Sequence, residues 1–192
     1  MRHPMSIAIT RRLIYSAAVL ALALGATVAT TPAPASAAIS SITCQGWTHV
    51  TFDPGLSNIP QYIEVAGDVD LNVSDQYSKT GACVATGSEA TAGELDQEGL
   101  TYDSCTTIFA YSGDVTYVWN DGQSSTVHQP SITVIRGEST TELIATGPVI
   151  SGEFQGDQTT TTYTGPNADF LPCLTTGVTS LDLVTTLTVL PL

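Results

Sequence analysis

Basic side chains are nearly missing from this sequence. Five Lys and Arg stand against 18 Asp and Glu in 192 residues. Three of the five (Arg2, Arg11 and Arg12) precede position 37, so the rest of the chain keeps only Lys79 and Arg136. With all 18 acids beyond that point, its formal charge is −16. A surface this acidic repels phosphate backbones and anionic lipid, which excludes nucleic acid and membrane surfaces as partners. Solubility outside a cell is the plain account of such a charge.

Catalytic signatures are missing too. Only His49 and His128 lie beyond the first residues, and no G-x-S-x-G elbow accompanies them, so a Ser-His-Asp triad has little to be built from. There is no glycine-rich phosphate loop and no C-x-x-C pair. No period of 20 to 50 residues recurs, which argues against solenoids and propellers. The sequence calls for no cofactor and contains no catalytic set.

What is present begins with an address. Arg2, Arg11 and Arg12 precede the apolar run Leu13 to Val28, and Ala35-Ser36-Ala37 follows as an A-x-A cleavage signature. Residues 1–37 are therefore expected to be a secretory signal peptide and 38–192 a single secreted, extracellular domain. That domain carries four cysteines, an even number that in an exported chain reads as two disulfides with three possible pairings. Cys83 with Cys105 and Cys44 with Cys173 are the expected pairs.

Threonine is the commonest residue of the domain, and valine, isoleucine and tyrosine are frequent, the composition of strands. The clearest local signal is Tyr111 to Val127. There Val115, Tyr117 and Trp119 alternate with Thr116 and Val118, and Asn120-Asp121-Gly122 supplies a hairpin turn. Tyr62 to Val73 alternates as cleanly, with Ile63, Val65, Val69 and Leu71 opposite Glu64, Asp68 and Asp70. Ile42 to Phe52, Thr101 to Tyr111, Ser131 to Ile135, Thr140 to Thr146, Val149 to Phe154, Thr159 to Thr164 and Ser180 to Leu190 follow the same period. The threonine-rich Thr159 to Thr164 is expected at an edge or on a wet face. Between Asp75 and Gly99 the chain is acidic and poor in aliphatics, which suggests a long loop with one helical turn near Ala90 to Leu95. About nine short strands punctuated by Gly and Pro indicate an antiparallel β-sandwich of immunoglobulin-like kind, with a β-barrel as the alternative.

A set of short motifs occurs in one order: Cys44-Gln45-Gly46, Phe52-Asp53-Pro54-Gly55-Leu56, Trp119-Asn120-Asp121-Gly122-Gln123, Gly152-Glu153-Phe154-Gln155-Gly156 and Leu171-Pro172-Cys173-Leu174. Together with Gly177-Val178-Thr179-Ser180, this order resembles a family of small secreted actinobacterial proteins of uncharacterised function. The resemblance implies export and one small β domain, and it brings no functional residue with it.

Candidate sites are few. Asp68 and Asp70, with Asp75 close behind, are the calcium candidates, because hard cations prefer clustered carboxylates. Trp47 and His49 share a face opposite Ile42 and Cys44 and are a candidate binding surface, whereas Trp119 belongs to the core. The expectation is a non-catalytic extracellular binding or cell-envelope interaction module whose partner is an extracellular protein or a cell-wall polymer. A secreted hydrolase using acidic residues is one alternative. An inhibitor presenting the Cys83–Cys105 loop to a protease is another.

Overall fold

A computed structural model describes residues 40–72, 83–107, 112–130 and 132–192. The expected signal peptide, 1–37, lies outside them. Ten strands carry the alternation seen in the sequence: β1 (Ser41–Leu56), β2 (Gln61–Asp70), β3 (Cys83–Thr86), β4 (Gly93–Asp103), β5 (Gly113–Trp119), β6 (Ser124–Gln129), β7 (Ile132–Arg136), β8 (Thr140–Gly152), β9 (Gln158–Pro166) and β10 (Val178–Leu190). A 3₁₀ segment, Asn167–Leu174, links β9 to β10.

Strand pairing runs β10-β9-β8-β6-β5-β4-β2-β1, and β1 also bonds to β10. The sheet therefore closes on itself as an eight-stranded antiparallel barrel, which corrects the immunoglobulin-like sandwich expected above. Closure depends on two long strands. β1 and β10 pair continuously from Ile42↔Val189 to Thr51↔Ser180, so neither is left as a free edge. β3 extends the sheet beside the start of β1, and β7 runs beside the first half of β8. A sandwich and a barrel bury the same alternate residues, so alternation alone does not separate them.

Local chemistry explains the corners. The hairpin joining β5 and β6 turns as its residues require. The Gly122 amide donates to the Trp119 carbonyl at 3.0 Å, the Gln123 amide donates to the Asp121 carboxylate at 3.0 Å, and Gly122 takes φ 88°. Asp53-Pro54-Gly55 does not end β1 as expected. It forms an irregularity in the β1–β10 ladder, a place where a strand tolerates proline. Thr140 to Phe154 likewise forms one strand to Gly152 rather than two, with Pro148 lying where the neighbour changes from β7 to β6. The acidic stretch expected to be a loop from Asp75 to Gly99 instead contains β3 and the first half of β4, with no helical turn at Ala90 to Leu95. Here the acids occupy alternate, outward positions of a strand, a pattern their number obscures.

Both disulfides differ from the expected pairs. Cys44 bonds Cys83, and Cys105 bonds Cys173. Cys44 and Cys83 are directly opposed in the β1–β3 ladder, with Cα atoms 4.0 Å apart. Cys105 follows β4 and is tied to the 3₁₀ segment, which packs Phe170 and Cys173 against the adjoining barrel interior. The cross-links close spans of 39 and 68 residues, each worth roughly 4 kcal/mol on chain-entropy grounds.

The interior has two apolar clusters. One gathers Ile42, Leu71, Trp119, Val127, Phe154 and Leu187. The other gathers Val50, Phe52, Ile63, Leu143, Phe170 and Leu183. Tyr163 packs against both. Trp119 is 2 % exposed, as its alternation implied, and its indole N–H donates to Ser125 Oγ at 2.8 Å.

Candidate functional site

Among the described residues, the barrel wall is incomplete between β4 and β5. β4 pairs with β2 along its whole length, from Glu94↔Asp70 to Asp103↔Gln61, but with β5 only at Gly93↔Trp119 and Glu94↔Val118. Among the described residues, no ladder pairing joins Leu95 to Tyr102 to the β5 side. The inward residues there are correspondingly less sealed. Val65, Gly67, Gln97 and Thr101 are half-buried and Gly99 is exposed, whereas Leu181, Leu183, Thr185 and Leu187 of β10 are closed off.

Behind this opening lies a cavity of about 90 Å³. Val50, Phe52, Val69 and Leu183 give it apolar walls, while Thr48, Gln97, Asp103, Gln129 and Tyr163 bring polar groups to it. Asp103 is 2 % exposed, and the cavity lining contains no other carboxylate and neither histidine. A Cβ added at Gly99 would meet nothing within 4 Å, so this glycine leaves open space beside the mouth. Leu100 flanks the same mouth and continues outward into an exposed aromatic pair. Tyr62 and Tyr102, opposed across β2 and β4, meet edge-on with ring centroids 5.1 Å apart.

Threonine and tyrosine make the inner wall of the barrel partly polar. Thr48 Oγ1 and Thr185 Oγ1 share a hydrogen bond of 2.5 Å, and Tyr117 Oη is 3.2 Å from Thr161 Oγ1. Burial pushes the Tyr163 phenol well above its ordinary pKa, with Tyr117 adding to the rise. Burial also raises Tyr117, against the opposing pull of its hydrogen bonds to Thr161 and Tyr163. Both therefore remain neutral hydroxyls at physiological pH. The Thr159 hydroxyl donates to the Gly147 carbonyl at 2.8 Å. The threonine strand thus pairs on both sides, with β8 and β10, and is not an edge; Thr159 and Thr161 face inward while Thr160 is exposed on the outer wall.

The residues singled out from sequence lie elsewhere, on the outer wall. His49 is opposed by Asp182 on β10 and by Asp68 on β2, and Asp68 by Asp96 on β4. His49 Nδ1 is 2.7 Å from Asp182 Oδ1, and His128 makes an equivalent 2.7 Å contact with Asp114. Trp47 is half-buried between Val184 and Asp70, two residues from the exposed His49 on the same outer face. Asp68 and Asp70 point outward in successive rows, and Asp70 accepts the Asn72 amide at 2.8 Å. Asp75 lies outside the described residues. Among the described residues no three His, Cys, Asp or Glu side chains are grouped to hold a metal.

The cavity residues Asp103, Gln97, Gln129 and Tyr163 were not legible as a site. They come from three parts of the chain and meet only through the barrel's closure. The Cys44–Cys83 and Cys105–Cys173 pairing also removes the Cys83–Cys105 loop on which the inhibitor alternative rested. The two disulfides agree with a compartment outside the reducing cytoplasm. Among the described residues, no helix is long and apolar enough to cross a membrane. No family model, curated protein or solved structure matches the chain.

Proposed function

We propose that the protein is a secreted, non-catalytic binding module that takes a small amphipathic group through the opening beside β4. The cavity carries this reading. It is lined on most sides by aliphatic and aromatic carbon, with a few converging polar groups, the usual make-up of a small-molecule site. An eight-stranded barrel is just wide enough to be filled by its own side chains or to hold one small ligand. At about 90 Å³ the space is smaller than the 150 Å³ cavity that admits benzene, so it suits a group of a few heavy atoms. Asp103 and the acidic outer wall favour a cationic or neutral group over an anionic one.

A hydrolase that cleaves between two carboxylates needs a pair of them facing one space. The cavity offers Asp103 alone, and the acids of the outer wall stand in rows on an open convex face. These observations favour binding over hydrolysis. The outer wall also carries carboxylates where a lipid-facing barrel needs an apolar band, which supports a role in water.

Short probes test the reading. n-Butylamine should shift the backbone amide resonances of Gly99, Thr101 and Gln129, and butyrate should not. Gly99→Leu fills the open space at little structural cost and should weaken the butylamine effect at least tenfold. Equal shifts with both probes, or shifts unchanged by the substitution, would contradict the assignment.

A further inference from the structure

We propose that the free side of β4 accepts an extended peptide carrying basic residues as an additional antiparallel strand of the barrel. The inference rests on the cavity reading only for the peptide's inward side chains; its backbone pairing stands on the ladder pattern.

In an antiparallel ladder, alternate residues turn both their amide and their carbonyl toward the same neighbour. The Gly93 carbonyl accepts the Leu71 amide, on the β2 side, whereas the Ala92 carbonyl accepts the Asn120 amide, on the β5 side. Odd-numbered residues of β4 therefore bond toward β2. Asp96, Glu98, Leu100 and Tyr102 turn their backbone groups toward the opening, where among the described residues no ladder partner meets them. An unpaired row of this kind is a template for strand addition.

The side chains of these four residues say what would be recognised. All four are exposed on the outer wall. Residues of an added strand that bond to them point the same way, about 5 Å across the ladder. Two such residues would face Asp96 and Glu98, beside the further acids Asp68 and Glu64 of β2. Lysine or arginine suits them, and the chain itself has almost none to compete. The other two would lie against Leu100 and Tyr102, exposed at 68 % and 58 %, where aliphatic side chains bury surface. Intervening residues point inward, past the open space at Gly99. Antiparallel addition matches every other ladder in the barrel.

The test uses a blocked heptapeptide with isoleucine at its first and third positions, lysine at its fifth and seventh, and threonine between them. Binding is measured by calorimetry, and edge pairing by amide hydrogen exchange. The peptide should slow exchange at Glu98 and Leu100, and its affinity should fall at least tenfold between low salt and about 0.3 M salt. Glutamate in place of both lysines should abolish binding. N-methylation of the amides that face β4 should weaken it at least tenfold without altering the protein. Leu100→Pro removes one amide on the open side and spares the β2 ladder, so it should weaken binding to a similar degree.

Absence of binding, undiminished binding of the N-methylated peptide, or unchanged exchange at Glu98 and Leu100 would overturn the proposal. Gly99→Leu separates the two readings. It should remove the butylamine response and leave edge protection at Glu98 and Leu100 in place; failure of the unsubstituted protein to respond to n-butylamine, with edge protection intact, removes the cavity assignment and leaves strand addition standing. A butylamine response without edge protection does the reverse.

Discussion

Threonine at an inward position is the residue-scale feature that most shapes this protein. Thr48, Thr159, Thr161 and Thr185 are buried, and each satisfies its hydroxyl within the barrel. They pack a branched carbon against the wall while supplying polar contacts to Tyr117 and its surroundings. In the sequence, a run such as Thr159 to Thr164 reads as a wet strand, because hydropathy scores the hydroxyl and cannot see its partner. Asp103 was obscured for a related reason, being one acid among 18. Tyr163 gives this scale its measurement. Its raised pKa means that above pH about 10 the unfolded chain releases a phenol proton that the folded chain keeps. The contribution of this group to stability should therefore be constant below pH about 10 and fall above it, by up to about 1.4 kcal/mol per pH unit. Tyr163→Phe should lower that slope in denaturant titrations from pH 9 to 11, and identical slopes would contradict the assignment.

Among the elements, the β5–β6 hairpin was fully legible, since Asn120-Asp121-Gly122 specifies its turn by backbone chemistry and nothing distant is needed. The parity of β1, β2 and β10 was equally plain. The partners of those strands were not, because alternation says which face is inward and nothing about what lies across the ladder. The disulfides failed in the same way. Nearness in sequence favoured Cys83 with Cys105, but the β1–β3 ladder sets Cys44 opposite Cys83, leaving Cys105 for the 3₁₀ segment. That second bond holds Phe170 over the barrel end, where the Arg136 guanidinium lies 5.5 Å from its ring and donates to the Cys105 carbonyl at 2.5 Å. Replacing both Cys105 and Cys173 by serine should cost up to about 4 kcal/mol in unfolding free energy. It should also speed amide exchange at Thr175 and Gly177, which bond to Pro172. Unaltered stability would show that apolar packing alone holds the segment.

For the whole molecule, closure of the sheet is the step that creates the candidate site. It brings Thr48, Asp103, Gln129 and Tyr163 to one cavity, and among the described residues it leaves β4 unladdered to β5 from Leu95 to Tyr102. The acidic outer wall was readable beforehand, because charge needs no tertiary contact. The cavity needed the register of several ladders at once. A spectrum of backbone-proton nuclear Overhauser effects tests this arrangement most directly. Cross-peaks should connect β1 and β10 from Ile42–Val189 to Thr51–Ser180, and β4 and β5 should be connected only at Gly93–Trp119 and Glu94–Val118. Missing cross-peaks along the β1–β10 seam, or a continuous β4–β5 ladder, would contradict the open-sided barrel.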